Sequence, residues 1–543
     1  MAGTAVVFDV VLRGGRVIDP ETGLDAVRDV GIRGGVIAAV CEPPLASGPG
    51  AIDIDCAGLV VSPGFIDMHS HAMDPEGARF QACDGVTTHL ELEFGAWPVR
   101  RFYAARAGRH PLNYGASAGH IPARVTTLDP ASEPQVEACC ATPHLLSQCI
   151  CASSQTHQAR TGAAGAPSVP PLADPAHGDS PYAAAAAALL SAAAADPVAA
   201  MRARLSEGLA EGGVGIGLGI QYVPGASHAE VFRVFQTAAA HSVPCFVHCR
   251  GEMDDIKDFT ELFADAAASG AALQICHIAA SCGMKCDFGL VLEMIDELNA
   301  RGAADITAEQ YSYCAGMTRI DSAVFRDGWQ QRLGIGPERL EWCLTGERLT
   351  EETFAAYREV GGTVIAHSIP EKWTDLAMRH PRVAIASDAI PWDGGKSHPR
   401  SAGCFARVLA RYVRERKVIS LQEGLRKMTL MPAQRLQSFC PSMRRKGRLQ
   451  VGCDADITVF DAATIVDNAT FAEPARVSSG IAHVLVGGVF VLRDGAFQEG
   501  VFPGRGIKSE VKAAAGGGRG GGGGGGGGGG TKRARAAEEG ADN

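Results

Sequence analysis

His69 and His71, with one residue between them, follow an apolar run, Val60-Val-Ser-Pro-Gly-Phe-Ile66, and Asp67 stands two residues before His69. Along an extended backbone alternate residues face the same side, so both imidazoles can reach one point at the carboxyl end of a strand. Two neutral imidazoles aimed at one point form half of a divalent-metal site. A lone His-x-His is more often a loop feature; the buried-looking strand and the aspartate favour the metal reading here. Further strand-like runs end in residues of the same kinds. Val243-Pro-Cys-Phe-Val247 leads to His248, Arg250 and Glu252, Ala272-Leu-Gln-Ile-Cys276 to His277, and Val383-Ala-Ile-Ala-Ser387 to Asp388. Leu112–Gly119 leads to His120, and Val86-Thr-Thr-His-Leu-Glu-Leu-Glu93 carries His89, Glu91 and Glu93 on one face. Any one of these is ordinary. Together they describe one shared centre. Zinc takes nitrogen and oxygen ligands, keeps a position open for water when catalytic, and lowers that water's pKa to ~7. An aspartate beside it can take the water's proton and return it to a leaving nitrogen, which suits hydrolysis of an amide or related C–N bond.

Side chains this far apart in sequence meet only if their strands lie side by side. The strand candidates are Val60–Ile66, Val86–Glu93, Leu112–Ala118, Val214–Ile220, Val243–Val247, Ala272–Ile278, Asp305–Tyr311 and Val383–Ser387. Helix-like runs such as Pro197–Leu209, Ala229–Ala240 and Leu290–Arg301 alternate with them. That alternation predicts an α/β chain with a parallel (β/α)8 TIM barrel, a fold that places active sites at the carboxyl ends of its strands. Thr363–Ala366 is a ninth apolar run, and a doubly wound open sheet fits the same pattern. Both chain ends read as short strands with Gly-Gly turns: Asp9–Asp19 and Asp29–Val40 at one end, Gly447–Asp461 and His483–Gly495 at the other. They predict one small β-sandwich built from both termini. The expected division is residues 1–58 and 447–506 for the sandwich and 59–446 for the barrel. An Ala/Pro/Ser/Gly-rich surface insertion is expected at 127–180, a helix at Ala183–Ala195, and a disordered glycine-rich tail at 507–543.

Composition narrows the function classes. The 543 residues are 46% hydrophobic and 20% charged, which is ordinary for a globular chain. A formal net charge of -10 argues against a nucleic-acid partner. No apolar run approaches the ~20 residues that cross a bilayer, and the amino terminus lacks the pattern of a signal or transit peptide. An odd count of 17 scattered cysteines then predicts reduced thiols in a cytoplasmic compartment.

At this point the motifs resemble the amidohydrolase superfamily and, within it, the D-aminoacylase (N-acyl-D-amino-acid deacylase) family. Pro63-Gly-Phe-Ile-Asp-Met-His-Ser-His71 is similar to the superfamily's strand-one motif, Val247-His-Cys-Arg-Gly-Glu252 to a His-x-Arg-x-Glu segment, and Ala386-Ser-Asp388 to the strand-eight aspartate. The resemblance implies zinc, one or two ions, held by His69, His71, His248 and His277, with Asp388 as general base and possible ligand. It also implies a substrate-binding set of His120, Arg250, Tyr311 and Arg400, the last from Ser397-His-Pro-Arg400 and expected on the substrate carboxylate. Two positions depart from the pattern. The family's bridging cysteine after Gly-Val-Thr-Thr is absent, leaving Glu93, with Glu91 as the alternative, to bridge; and Ala279 stands where the family has a lysine. The implied activity is deacylation of a small N-acyl-(D-)amino acid. A cyclic amidase or deaminase would use the same barrel, and a catalytically silent scaffold would lack ligands or base that are present here.

Overall fold

The computed structural model describes residues 7–141, 196–283 and 285–511. The expected insertion beyond residue 141, the Ala183–Ala195 helix and the glycine run of the tail lie outside the described residues. Eight strands pair in parallel, and in chain order they are β1 (Phe65–Asp67), β2 (Val86–Ala96), β3 (Asn113–Gly119), β4 (Ile216–Gly219), β5 (Cys245–His248), β6 (Leu273–Ile275), β7 (Ile306–Gln310) and β8 (Val383–Ile385). The sheet curls until its first and last strands meet. Asp388 N–H donates to His69 O at 2.7 Å and His71 N–H to Ala389 O at 2.8 Å. The Asp67 carboxylate, pushed up to about 6 by burial, accepts the backbone N–H groups of Ser387 and His69 at the same seam. This is the (β/α)8 barrel, not the open sheet. Closing it places the His69–His71 segment beside Asp388.

The run Val60–Ile66 is two strands rather than one. Val60–Pro63 pairs with Val10–Asp19 and Ile457–Phe460, whereas Phe65–Asp67 pairs with β2 in the barrel. Gly64 makes the transition where a Cβ would come within 2.2 Å of the Thr87 side chain, so only glycine lets the chain pass. The terminal strands form one nine-stranded mixed sheet in which Val60–Pro63 is the seam between amino- and carboxyl-terminal segments. The sheet folds over, with Ile37 N–H donating to Cys453 O at 2.9 Å, and buries Val10, Leu12, Val17, Ile32, Ile457, Val459 and Leu485 between its two ends.

Thr363–Ala366, the ninth apolar run, stands outside the barrel as the centre of a separate antiparallel sheet with Gly316–Arg319 and Leu340–Trp342, set in the connection between β7 and β8. Two expectations change. Residues 127–141 are not surface insertion, because the helix Glu133–Ala141 packs Val136, Cys139 and Cys140 into the main core. The first residues of the expected tail are held as well: Ile507 is buried and its N–H donates to Tyr114 O at 2.7 Å, a contact that only the folded barrel supplies. Among the described residues the cysteines are free, and no helix is long and apolar enough to cross a membrane.

Candidate metal centre

Each donor stands at or just beyond a strand's carboxyl end. His69 and His71 follow β1, and their Nε2 atoms approach to 3.1 Å. Asp388 follows β8 and turns Oδ1 toward the same pair, 3.4 Å from His69 Nε2 and 3.5 Å from His71 Nε2. Glu93, near the end of β2, brings Oε2 to 2.6 Å from His69 Nε2. These four buried residues place donor atoms within 4.8 Å of one another. A second group, Glu93, His248 and His277, meets the same criterion, with His248 Nδ1 3.0 Å from Glu93 Oε1 and His277 Nε2 3.3 Å from Glu93 Oε2. Glu93 alone belongs to both. A carboxylate has two oxygens and can serve two cations, so the position left without a cysteine is filled by a residue able to bridge.

The donors are held in place by their neighbours. His71 Nδ1 is 2.7 Å from Glu91 Oε2, His69 Nδ1 is 2.7 Å from Glu309 Oε1, and His248 Nε2 is 2.6 Å from Gln221 Oε1. Such partners orient a ligating imidazole and select its tautomer. The Phe94 ring stacks on His71 at 4.7 Å between centroids. His277 and Asp388 both have left-handed backbones, at φ 32 and 50. For residues with a Cβ that conformation costs about 1–3 kcal/mol each, and it persists only where surrounding bonds impose it.

The electrostatics describe a site rich in negative charge. Burial would depress the His69 imidazole, but the carboxylates of Asp388, Glu309 and Glu93 outweigh it and hold the group well above its ordinary value. Burial opposes ionisation of Glu93 as well, yet His248 and His69 keep its carboxyl well below the usual range. His71 is raised, Glu91 overcoming burial, whereas burial lowers His248. Taking several carboxylates out of water costs several kcal/mol per ion unless a cation answers them. The nitrogen and oxygen donors, their convergence and the surplus negative charge all suit a divalent ion.

The donors open onto a cavity of about 140 Å3. His71, Glu93, His248, His277, Asp388 and Arg400 line it, together with an apolar set that includes Phe94, Tyr222, Met253, Met317, Val324 and Phe325. Much of that apolar wall comes from the β7–β8 connection, which the strand pattern gave no reason to place there. Arg319, from the same connection, also lines the cavity and pairs with Asp321 at 2.9 and 3.0 Å.

The expected substrate residues divide. Arg400 and Tyr311 line the cavity, with the guanidinium 4.5 Å above the phenol ring. Arg400 is also committed elsewhere: Nη2 lies 2.8 Å from Asp388 Oδ2 and Nε donates to Asp388 O at 2.7 Å, leaving buried Nη1 without a partner. Arg250 and His120 are not brought to the cavity. Arg250 makes a two-point contact with Glu261, at 2.9 and 2.6 Å, and donates to Ala226 O; the strand ends at His248, so face alternation no longer governs residue 250. His120 opens the helix His120–Leu128 and turns Nε2 to Glu230, 2.8 Å away on a neighbouring helix. Glu91 holds His71 rather than bridging. Glu309 and Gln221 carried no sequence signal as imidazole partners, because their roles exist only across strands.

A model described as the amidohydrolase family matches residues 156–492, well over half of the chain. This chain belongs to that family. Among curated relatives, the N-acyl-D-glutamate deacylase of Alcaligenes xylosoxydans xylosoxydans is 29% identical over 533 residues, covering 89% of this chain and 93% of the relative. The D-aminoacylase of the same organism is 29% identical over 519 residues, covering 90% and 96%. The structure of N-acyl-D-glutamate deacylase from Bordetella bronchiseptica, complexed with zinc and a phosphonate inhibitor, superposes with a TM-score of 0.71 at 24% identity, covering 93% of this chain and 100% of that one. That likeness carries the fold. A D-aminoacylase structure gives 0.68 at 25% identity, covering 92% and 100%. The amidohydrolase is thus related to N-acyl-D-amino-acid deacylases and has their barrel and terminal mixed sheet.

Proposed function

We propose that this amidohydrolase is a zinc-dependent deacylase that hydrolyses an N-acyl-amino acid, of the D series, to a carboxylate and a free amine. The observation that carries the reading is the pair of donor groups sharing Glu93, with Asp388 facing both His69 and His71. The activities of the two Alcaligenes relatives support the substrate class. His69, His71, Glu93, His248, His277 and Asp388 would hold one or two ions. When bound, zinc supplies Lewis acidity that polarises the amide carbonyl and lowers the pKa of water. Asp388 takes the attacking water's proton on Oδ1 and returns it to the leaving nitrogen, while Arg400 holds Oδ2 and so fixes the carboxylate's direction. Arg400 Nη1 is the guanidinium donor left for the substrate carboxylate, and Tyr311 beneath the guanidinium stays a neutral phenol because burial raises its pKa. The apolar wall takes the substrate's hydrocarbon part and excludes water.

The test is a panel of N-acyl-D- and N-acyl-L-amino acids offered to the zinc-loaded protein, with free amine and carboxylate quantified together. Equal amounts of both products, faster for the D series, are expected. Release of ammonia, or ring opening of a cyclic amide in preference, would replace this reading with a deaminase or cyclic amidase.

A further inference from the structure

Glu309, on β7, lies outside the two donor groups that share Glu93 and does not line the cavity; with His69 and Cys276 it forms a third, separate cluster of potential donors behind the His69 ring. Its Oε1 nevertheless touches both groups. It accepts from His69 Nδ1 at 2.7 Å, and from the backbone N–H of His277 at 2.8 Å. The next amide along, that of Ile278, donates to Glu309's own carbonyl at 2.9 Å. His277 is one of the two site residues with a left-handed backbone, at φ 32, so Glu309 holds a conformation that a residue with a Cβ does not adopt unaided. The other partners each serve one imidazole: Glu91 holds His71, Gln221 holds His248, and Ser281 Oγ is 3.3 Å from His277 Nδ1. Glu309 is 1% exposed and its Oε2 has no hydrogen-bond partner, so the carboxylate acts through the one oxygen shared by the two groups.

We propose that Glu309 is a positioning residue that locks the His69 ring and the His277 backbone into one arrangement, so that zinc binding depends on it more than on any partner serving a single imidazole. This rests on the zinc reading above. Full-length protein is stripped with a chelator and reloaded with Zn2+, and its zinc content and affinity are measured by competition with a chromogenic chelator. Thermal unfolding of the stripped forms reports whether each variant folds. Orienting residues of this kind change metal affinity about 10–100-fold, so E309A is expected near the upper limit, E309Q, which keeps an acceptor but loses the charge, in between, and E91Q near the lower limit. If E309A stays within about two-fold of wild type, or loses no more than E91Q, the proposal is overturned while the zinc reading stands. Should E309A fail to fold, the isosteric E309Q is judged against E91Q by the same rule. Wild type that retains no zinc would instead remove the reading on which the proposal rests.

Discussion

The two ends of the barrel both bury charge, and they do so differently. At the amino-terminal end Lys446 Nζ lies 2.6 Å from Asp456 and 3.0 Å from Asp454, and Asp456 also accepts from Asn113 Nδ2, at the start of β3, and from Gly487 N–H. There the charges terminate on an opposite charge or a backbone donor, which makes that end a structural clamp. At the carboxyl-terminal end the ring nitrogens of His69 and His71 face each other across 3.1 Å, and two carboxylates join them. There the partners of the buried carboxylates are mainly imidazoles, which once deprotonated can ligate a metal themselves. Burial of charge is common to both ends, so it does not by itself mark a functional site. Imidazole and carboxylate donors aimed at one point do.

The comparison can be broken most directly at the rim. Asp388→Asn should fold normally while turnover falls by about 10^2–10^4, the usual contribution of a positioned general base. Steady-state rates alongside a thermal unfolding curve check this, and wild-type turnover would reject Asp388 as the base. At the opposite end Asp456→Ala removes the nearer of the two carboxylates that maintain the Lys446 charge against burial and leaves Asp454 at 3.0 Å. Breaking a buried pair on one side costs about 3–5 kcal/mol and Asp454 offsets part of that, so the denaturation midpoint should drop while turnover per folded molecule stays unchanged. Lost turnover at unaltered stability would erase the distinction between the two ends. A smaller effect sharpens it. His110 precedes β3, and burial, aided by Arg106, holds its imidazole down at about 4. The unfolded chain, with its histidine near the ordinary 6.5, takes the proton first, so stability is complete above that value and falls as pH drops through the window toward 4. The loss is on the order of 3 kcal/mol, and His110→Asn should flatten the acid limb of stability measured against pH.

Much of this protein is legible in its residues, and the boundary is physical. Alternation along a strand is a local property, which is why the shared face of Glu91 and Glu93 on β2 could be read without coordinates. It stops where the strand stops. His69 and His71 stand beyond the end of β1 at Asp67 and are held there by bridges from His69 to Glu91 and from Ser70 to Ala389. Arg250, two residues beyond a histidine of the centre, turns instead to Glu261 because β5 has already ended. Alternation also could not rank Glu93 over Glu91, since both share a face. The choice belongs to the neighbours that β2 meets: His71 captures Glu91, and His69, His248 and His277 surround Glu93. The terminal strands were readable from their turns, but the split of the first apolar run at Gly64 was not, because its cause is the Thr87 side chain on another strand.

Residue type and spacing alone determined the alternation of strands and helices, which fits a closed barrel or an open sheet, the histidines and acids at the strand ends, and the class of chemistry they suit. Those are properties of short stretches, repeated along the chain. Tertiary structure alone decided which carboxylate is shared, that Arg400 grips Asp388, that the connection after β7 walls the cavity, and that Glu309 joins two ligand segments. Each depends on a distance between side chains on different strands, and such distances exist only once the barrel has closed.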